Sequence, residues 1–393
     1  MGFIRKTPAG RFQAVWRDPA GRQRAKNFIL KKDASRYLRS VESAKATGAY
    51  IDPRSADRRF LDVATAWLEG YVAEPTTVTR VKTALRSQVL PEWGETPIGR
   101  ITYLDVAAWV RRLGETLAPA TVTKALQVLS MVMESACRSR IIPDNPCRKV
   151  RIQGGQRPVR PGVAITRDDF AAVLGAIPPD RRLLPALAGY CGLRWGEAAG
   201  LAWSGVDLDA GLLVVRQVAV EISGAVAIRS YPKTTSGVRR VPVPAPLMRM
   251  LEDAGPGDGR DLVCPTATGS PFRRANFRKQ VWRPALVRAG LLGELGEVRT
   301  GEWEAVWTTS TGDCASAVFA TEREAVAAIV ARHSGGLRFH DLRHSYTTWL
   351  VSAGIPVNVV QRLVGHAQVS TTLNRYTHHL DDDKSDVRGI FAD

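Results

Sequence analysis

The sequence predicts a multidomain chain that is mainly α-helical with small β-sheets. Its 393 residues are 45% hydrophobic, which is enough to fill more than one buried core. Helical spacing of apolar residues dominates the middle of the chain, whereas strand-like alternation is confined to the start and to parts of the second half. We therefore expect a small β-sheet-plus-helix module in residues 1–55, a helical domain in residues 56–153 and an α+β domain in residues 154–393.

The N-terminal module is predicted to consist of short strands followed by a helix. The stretches "RFQAVWRD" and "QRAKNFIL" alternate in polarity around the turn "PAGR", and "KKDASRYLRSVESAKATG" has helical spacing. Residues 1–40 contain eleven Lys or Arg against two Asp or Glu. A sheet with this charge is expected to lie on a DNA backbone or in a groove, and the alternative is a basic appendage that is merely solvated.

The middle domain is predicted to contain four or five helices. Apolar residues recur every three or four positions in "FLDVATAWLEGYV", "TVTRVKTALRSQVL", "TYLDVAAWVRRL" and "PATVTKALQVLSMVMESACRSR". Thr102 is suited to cap the third of these helices, and Pro119 suits the first turn of the fourth. Residues 148–161 then combine Gly and Pro with five Lys or Arg and no acid, which predicts an extended basic linker and a domain boundary.

The composition constrains the partners and the compartment. Counts of 55 Lys+Arg and 38 Asp+Glu give a net charge of +17 and an isoelectric point near 10.1, as expected of proteins that neutralise phosphates. No apolar run reaches the roughly 18 residues of a membrane span, and the start "MGFIRKTPAG" lacks the apolar core of a signal peptide. The five cysteines are scattered, without a C-x-x-C pair. We expect a cytoplasmic protein with reduced thiols, no membrane partner and no cofactor.

The last domain is predicted to mix helices and strands. It opens with "TRDDFAAVLGAI", in which Thr166 and Asp169 are spaced for a capping box. Strand-like stretches follow at "LLVVRQVAVEI", "AVAIRSY" and "RRVPVP", after which helices resume as far as Tyr376 and beyond. This pattern indicates an α+β domain that is mostly helical.

An internal repeat relates this domain to the N-terminal module. With a constant offset of 291 residues, Gly10, Ala14, Val15, Trp16, Gly21, Phe28 and Ala34 match Gly301, Ala305, Val306, Trp307, Gly312, Phe319 and Ala325. Residues 10–39 carry nine basic and two acidic side chains (+7), whereas residues 301–330 carry one basic and five acidic ones (−4). We expect a second strand–strand–helix module at about 297–334, inserted at the surface and contacting protein rather than DNA. Chance similarity of two short hairpins is the alternative.

The segment "LRFHDLRHSYTTWL" raises the question of a metal site. His340 and His344 are four residues apart on a predicted helix, which is the zinc spacing of H-E-x-x-H proteases. Arg343 lies between them, however, and its fixed charge would repel a dication, and no third ligand follows at a suitable spacing. We therefore expect no metal here.

Two arginines in apolar surroundings indicate an anion site instead. Arg194 in "GYCGLRWGEAAGL" and Arg343 are embedded in helix-forming apolar sequence, where a guanidinium is costly unless it meets an anion. Their planar donors suit bidentate contacts with one phosphate. Lys233, His366 and Tyr376 are further candidates. Each alone has an ordinary structural explanation, as a hairpin charge, a helix cap and a surface aromatic respectively.

Taken together and in order, these segments resemble a known family. "GLRWGEAAGL", "PKTTSGVRRVPV", "HDLRHSYTTWL" and "VGHAQVSTTLNRYTH" are similar to the signature motifs of the tyrosine recombinases, or phage-type integrases, over residues 165–380. Residues 57–150 resemble the core-site-binding domain of that family, and the basic start resembles the arm-binding domain of integrases that bridge two kinds of DNA site. Residues 291–336 depart from the usual pattern, because an added module precedes the histidine motif.

The resemblance implies a reaction and a set of catalytic residues. Tyr376 would attack a DNA phosphodiester and form a 3′-phosphotyrosyl bond, leaving a free 5′-hydroxyl. The other implied roles are proton acceptor for His340, binding of the non-bridging oxygens for Arg194 and Arg343, a further hydrogen bond from His366, protonation of the 5′-oxygen by Lys233, and orientation of the cationic pocket by Glu197. His344 is expected to pack within its helix.

The implied function is site-specific recombination, the integration or excision of a mobile element. The expected partners are double-stranded DNA attachment sites, three further subunits in a tetramer on synapsed DNA, and a directionality factor or DNA-bending host protein. Residues expected to contact DNA are Arg11, Arg22, Arg24, Lys26, Lys149, Arg151 and Arg157. A recombinase that resolves chromosome dimers, a relaxing enzyme similar to type IB topoisomerases and a catalytically idle DNA-binding regulator are the alternatives. The full catalytic set disfavours the regulator, and the basic N-terminal module favours integration.

Overall fold

The chain forms two compact units, Met1–Val159 and Arg160–Asp393. The computed structural model describes residues 2–19, 21–48, 50–52, 54–152, 163–222, 224–230 and 238–365. Most of the expected linker, residues 153–162, lies outside these ranges. Among the described helices, none combines the length and the apolar character that a membrane crossing requires.

The first unit begins with a three-stranded antiparallel sheet, one strand more than the sequence predicted. Its elements are β1 (Phe3–Lys6), β2 (Phe12–Arg17), β3 (Gln23–Phe28) and the helix α1 (Lys31–Ala46), in the strand order β1-β2-β3. The helix covers one face of the sheet, where Ala14 and Trp16 are buried. The Trp16 indole Nε1 donates a 2.8 Å hydrogen bond to the hydroxyl of Tyr50, which ties the chain beyond α1 back to the sheet.

The remainder of the first unit is helical, as predicted. Its helices are α2 (Phe60–Glu69), α3 (Pro75–Ala84), α4 (Leu90–Trp93), α5 (Tyr103–Thr116) and α6 (Pro119–Arg138), with a π-helical turn at Leu85–Val89 between α3 and α4. Thr102 caps α5 in a capping box with Asp105, and Pro119 is the first residue of α6. Phe60, Trp109 and other apolar side chains of these helices form one buried core.

The second unit contains the remaining elements. Its helices are α7 (Arg167–Gly175), α8 (Pro179–Cys191), α9 (Trp195–Ala199), α10 (Ala245–Ala254), α11 (Arg274–Phe277), α12 (Arg283–Arg288), α13 (Glu322–Arg332), α14 (Asp341–Ser352) and α15 (Val357–Val364), with a π-helical turn at Arg278–Trp282. Its strands are β4 (Val206–Asp207), β5 (Leu212–Val215), β6 (Gln217–Ile222), β7 (Ala225–Ser230), β8 (Arg239–Pro242), β9 (Glu294–Arg299), β10 (Glu302–Thr308) and β11 (Cys314–Phe319). The predicted capping box of Thr166 and Asp169 starts α7.

Helix α14 packs on α8 and α15. Seven consecutive residues, 341–347, are buried, which explains why the apolar periodicity of this helix is weak. Its polar side chains find partners inside. Ser345 Oγ accepts a 3.1 Å hydrogen bond from the Ile165 backbone N–H, and the Trp349 indole donates to the Ile165 carbonyl at 2.9 Å. The start of the domain is thereby fastened to α14.

The second copy of the repeat has the same strand pairing as the first. Phe12 pairs with Phe28 in the N-terminal sheet, and Trp303 pairs with Phe319 in the sheet of β9, β10 and β11. The outer strands agree as well, because Phe3 faces Val15 and Glu294 faces Val306. The two modules therefore share one architecture, with three strands each rather than the two predicted.

The expectation of a separate surface insertion is wrong in one respect. Ala305, Trp307 and Ile329 are buried in the same hydrophobic cluster as α8 and α12 of the second unit. Arg283 on α12 is also buried, and its guanidinium donates to the carbonyl oxygens of Val330, His333 and Gly335 at 2.8–3.1 Å. The module shares its core with the domain that carries it, because α12 packs against both α13 and β9 of the module.

Candidate active site

Arg194 is positioned by the end of one helix and the start of another. Gly192 ends α8 with a φ of 62°, in the left-handed region, and a Cβ there would lie 2.4 Å from the ring of Tyr346. This turn places Arg194 at the N-cap of α9. Its backbone N–H donates to Glu197 Oε2 and its Nη1 donates to Glu197 Oε1, both at 2.8 Å. About a third of the Arg194 side chain (35%) is exposed, so its guanidinium is accessible from solvent.

Arg343 reaches the same region from α14. It is 2% exposed, and its Nη1 donates a 2.6 Å hydrogen bond to the carbonyl oxygen of Gly192. Its Nη2 donates to the carbonyl oxygen of Val364, the last residue of α15. A buried guanidinium with such acceptors is held in one orientation, which favours bidentate recognition of an anion.

Three arginines converge on the end of α15. Arg239 Nε donates to the Leu363 carbonyl at 2.8 Å, Arg343 donates to that of Val364, and Arg194 Nη2 donates to that of Gly365 at 2.9 Å. The carbonyl end of a helix carries a partial negative charge and attracts cations. The structure thus brings together Arg194 and Arg343, as the sequence predicted, and adds a third arginine.

Arg239 was missed by the sequence reasoning. Its guanidinium grips both oxygens of Glu197, with Nη1 to Oε1 at 3.0 Å and Nη2 to Oε2 at 2.6 Å. A signal was present in "VRRVPV", where strand alternation places Arg239 on the same face as the buried Val241. An arginine on the inward face of a strand needs a buried acceptor.

Glu197 is ionised between the two arginines. Burial alone would raise the pKa of this carboxyl group, but hydrogen bonds from Arg239 and the charges of Arg239 and Arg194 outweigh burial and lower the pKa to about 2. Glu197 is 1% exposed. It is therefore a permanent counter-ion of the cationic pocket at neutral pH.

His340 and His344 pack edge to face, with ring centroids 5.0 Å apart. Partial burial of the ring, then the positive charges of His344, Arg343 and Arg194, lower the pKa of His340 to about 4. Part of His340 remains exposed to solvent, whereas His344 is buried within α14. Asp341 accepts hydrogen bonds from Arg338, including a 2.7 Å contact, and so anchors the start of α14. Within the described ranges, no cluster of three or more His, Cys, Asp or Glu residues could hold a metal ion.

Three of the predicted catalytic residues lie outside the described residues: Lys233, His366 and Tyr376. In the sequence, His366 directly follows Gly365, and Lys233 precedes Arg239 by a few residues. The described part of the site thus consists of Arg194, Glu197, Arg239, His340 and Arg343.

Models of known families match both parts of the chain. The phage integrase family model matches residues 315–383, and the phage integrase central domain model matches residues 60–153. A prophage phiRv2 integrase of Mycobacterium tuberculosis (strain H37Rv) is 24% identical, over 96% of this chain and 91% of the relative. The chain belongs to the tyrosine recombinase family, as a phage-type integrase. It is therefore a site-specific recombinase.

Solved structures agree with the fold of this recombinase. A Tn1549 transposon integrase in complex with transposon right end DNA has a TM-score of 0.60 at 19% identity, covering 85% of this chain and all of that one. A lambda integrase tetramer bound to a Holliday junction has a TM-score of 0.51 at 16% identity, covering 94% of each chain. The fold class predicted from the sequence is confirmed.

The residues expected to contact DNA differ in their surroundings. Arg11, Arg22 and Lys26 are exposed on the N-terminal module of the recombinase, and Lys149 and Arg151 are exposed beside a groove of about 460 Å³ that Tyr103 and Arg111 also line. Arg157 lies outside the described residues. Arg24 differs from the other residues expected to contact DNA, because it is half-buried and forms ion pairs with Asp18, at 3.0 Å, and with Asp52. Arg24 therefore holds the module together.

Proposed function

We propose that this recombinase integrates and excises a mobile element by cutting and rejoining double-stranded DNA attachment sites. In this proposal Tyr376 is the nucleophile. Each cleavage conserves the free energy of the broken phosphodiester bond in a 3′-phosphotyrosyl bond. The single observation that supports this most strongly is the convergence of Arg194 and Arg343 at the residue pair Val364 and Gly365, next to His366 in the chain. Two guanidinium groups that donate to adjacent residues of one turn suit one phosphate with two non-bridging oxygens.

In this proposal Arg194 and Arg343 stabilise the negative charge of the transition state. In the pentacoordinate transition state, negative charge builds on the non-bridging oxygens, and preorganised cations stabilise it without a metal. Arg343 is rigid and buried, whereas Arg194 is accessible, so Arg194 meets the DNA from the solvent side. His366 adds a hydrogen bond to the same phosphate.

The proton transfers balance around the phosphorus atom. As the Tyr376 oxygen bonds to phosphorus, its phenolic proton passes to His340, and the bond from phosphorus to the 5′-oxygen breaks. Lys233 gives a proton to that oxygen, which leaves as a 5′-hydroxyl. The lowered pKa of His340 supports this role, because the imidazole is neutral at physiological pH and has a lone pair to accept the proton.

The N-terminal sheet is proposed to bind a second DNA site, the arm site. Arg5 donates to Gln13 at 2.7 Å and Gln13 donates to Asn27 at 2.9 Å, which forms a polar ladder across three strands, and strand alternation puts Gln13 on the face opposite to Ala14 and Trp16. Arg11 and Arg22 flank it at the exposed turns. Guanidinium and amide groups are the side chains that read base edges in the major groove, and the flanking arginines suit phosphates.

Assembly on DNA follows from the same proposal. Strand exchange between two attachment sites requires four active sites, so we propose a tetramer on synapsed DNA, by analogy with the lambda integrase tetramer on a Holliday junction. A directionality factor or a DNA-bending host protein would bring arm and core sites together. Two DNA-binding units on one chain favour such bridging over simple DNA relaxation or resolution of chromosome dimers.

A suicide substrate tests the proposal. This is a core-site duplex nicked so that the 5′-hydroxyl product diffuses away and the covalent adduct accumulates. We expect wild type to form the adduct and Tyr376→Phe to form none while binding DNA normally. Tyr346→Phe is the matched control, because Tyr346 is a buried tyrosine whose desolvated phenol has a raised pKa. An adduct that persists in Tyr376→Phe would place the nucleophile elsewhere.

A further inference from the structure

We propose that Arg239 is a positioning residue for catalysis: through Glu197 it sets the orientation of Arg194 relative to the end of α15. This inference rests on the proposed function, since it assigns the support of the arginine that meets the scissile phosphate. Arg239 belongs to β8, whereas Arg194 and Glu197 flank the start of α9, so the link joins separate elements.

Arg239 and Arg194 share one carboxylate, that of Glu197. Glu197 accepts from both Nη1 and Nη2 of Arg239, and from Nη1 and the backbone N–H of Arg194. With Arg239 in place, the carboxylate oxygens are divided between two guanidinium groups. Without it, both oxygens are available to the Arg194 guanidinium, which would be drawn into a forked ion pair and away from the phosphate.

Arg239 and Arg194 also meet at the end of α15. Arg239 Nε donates to Leu363 and Arg194 Nη2 donates to Gly365, so the two arginines hold the same turn. Gly365 has a φ of 66°, and a Cβ at this position would lie 3.2 Å from Arg239 Cδ. The glycine allows both the left-handed turn and the close approach of Arg239. Arg239 therefore fixes the turn that immediately precedes His366.

Arg239 and Glu197 are both buried. The side chains of Arg239 and Glu197 are 6% and 0% exposed. Each nitrogen of the Arg239 guanidinium also donates to a protein acceptor, Nε to Leu363 and both Nη atoms to Glu197. Arg239 is thus placed to act through Arg194 and the turn, without touching the substrate. A displacement of about 1 Å in a group that contacts the reacting atoms is enough to slow a reaction on the order of 10²-fold.

The test compares two scissile groups in the suicide-substrate assay. One substrate carries the natural phosphodiester, and the other carries a methylphosphonate, in which a methyl group replaces one non-bridging oxygen and removes the negative charge. The variants are Arg239→Met, Arg239→Lys and Glu197→Gln. Arg283→Met is the structural control, because Arg283 is also a buried arginine (7% exposed, as is Arg239) but binds backbone carbonyls near the second module. Single-turnover cleavage, DNA affinity and thermal unfolding are measured for each.

We expect Arg239→Met to cleave the phosphodiester more slowly on the order of 10²-fold, with DNA affinity nearly unchanged. On the methylphosphonate, the ratio of the wild-type to the Arg239→Met cleavage rate should be smaller by about tenfold or more. The transition state of that substrate carries less negative charge, so its stabilisation depends less on the orientation of Arg194. Glu197→Gln should show the same pattern. Arg239→Lys keeps a charge opposite Glu197 and so supports folding, but it lacks the fork and should remain defective on the phosphodiester only.

An equal loss on both substrates for the Arg239 variants would reduce Arg239 to a structural residue and overturn the inference. For the control Arg283→Met we expect a loss of stability and near wild-type cleavage of both substrates per folded molecule. If Arg239→Met does not fold, Arg239→Lys decides, and wild-type cleavage by that variant would also overturn it. Failure of the proposed function has a different signature, since wild type itself would then form no covalent adduct with either substrate.

Discussion

Arg343 on α14 donates a 2.6 Å hydrogen bond to the carbonyl oxygen of Gly192, the residue that ends α8. A lysine has neither the reach nor the planar fork to hold Gly192 and Val364 together. We expect Arg343→Lys and Arg194→Lys each to lower single-turnover cleavage on the order of 10²-fold or more. Arg283→Lys is the control: its free energy of unfolding should fall, but its cleavage rate per folded molecule should stay near that of wild type. Cleavage within a few-fold of wild type in both site variants would contradict the phosphate-binding role.

The lowered pKa of His340 predicts a dependence of stability on pH. The folded protein keeps this imidazole neutral down to about pH 4, whereas the unfolded chain takes up a proton below the ordinary value of 6.5. The unfolded state therefore binds more protons between these values, and the contribution of His340 to stability is lost as pH falls from 6.5 towards 4. Urea unfolding of wild type and His340→Asn from pH 4 to 7 measures it. The variant should show a shallower fall, and parallel curves would argue against the shift.

The N-terminal module is expected to bind arm sites and to be dispensable for core cleavage. The contacts of Asp52 with Arg24 and of Tyr50 with Trp16 show that the module extends past α1, so a clean truncation removes residues 1–54. The truncated protein should cleave a short core site normally, lose protection of arm sites in footprints, and show a smaller salt slope because phosphate contacts are gone. Arg11→Glu with Arg22→Glu should mimic the binding loss in a folded protein. Unchanged arm protection would leave the module a solvated appendage.

The second module is expected to stabilise the catalytic domain. Trp307 is 7% exposed within the shared core, so Trp307→Ala should lower the free energy of unfolding by about 3–5 kcal/mol. Val318 is 56% exposed on the same sheet, and Val318→Ala should change it by less than about 0.5 kcal/mol. Chemical denaturation separates the two. Equally small effects of both substitutions would indicate an independent insertion. In that case, replacement of residues 297–334 by a linker should leave single-site cleavage unchanged.

The contact of this module with protein partners stays a prediction, and charge reversal on its open face tests it. Glu304 and Val318 are cross-strand neighbours there. Glu304→Lys with Val318→Lys should leave single-site cleavage intact and weaken synapsis, measured by the yield of paired sites in native gels. Unchanged synapsis would show that the module has no part in subunit assembly.

Local patterns allowed much of the fold to be predicted. The capping boxes of Thr102 and Thr166 and the hairpin repeat depend on residues close together in sequence, so they are readable from it. Arg239 was missed because its partner Glu197 is 42 residues away, and only the folded chain brings the two together. Likewise, alternation along β10 indicates that Trp307 faces inward, but it does not specify that α12 shares that core. Contacts between residues far apart in sequence depend on tertiary packing, which local sequence patterns do not specify.

The matched pairing of the two modules bears on how the chain folds. Since β2 with β3 and β10 with β11 use the same register, each strand finds an alternative partner of the right length in the other copy, which is the setting for strand exchange between repeats. Synthesis from the N-terminus completes the first sheet before β9 leaves the ribosome, so in the cell the order of synthesis separates the copies. Refolding from denaturant removes that order. We expect its yield to rise when the first module is deleted, as a fluorescence-monitored refolding assay with both proteins would show.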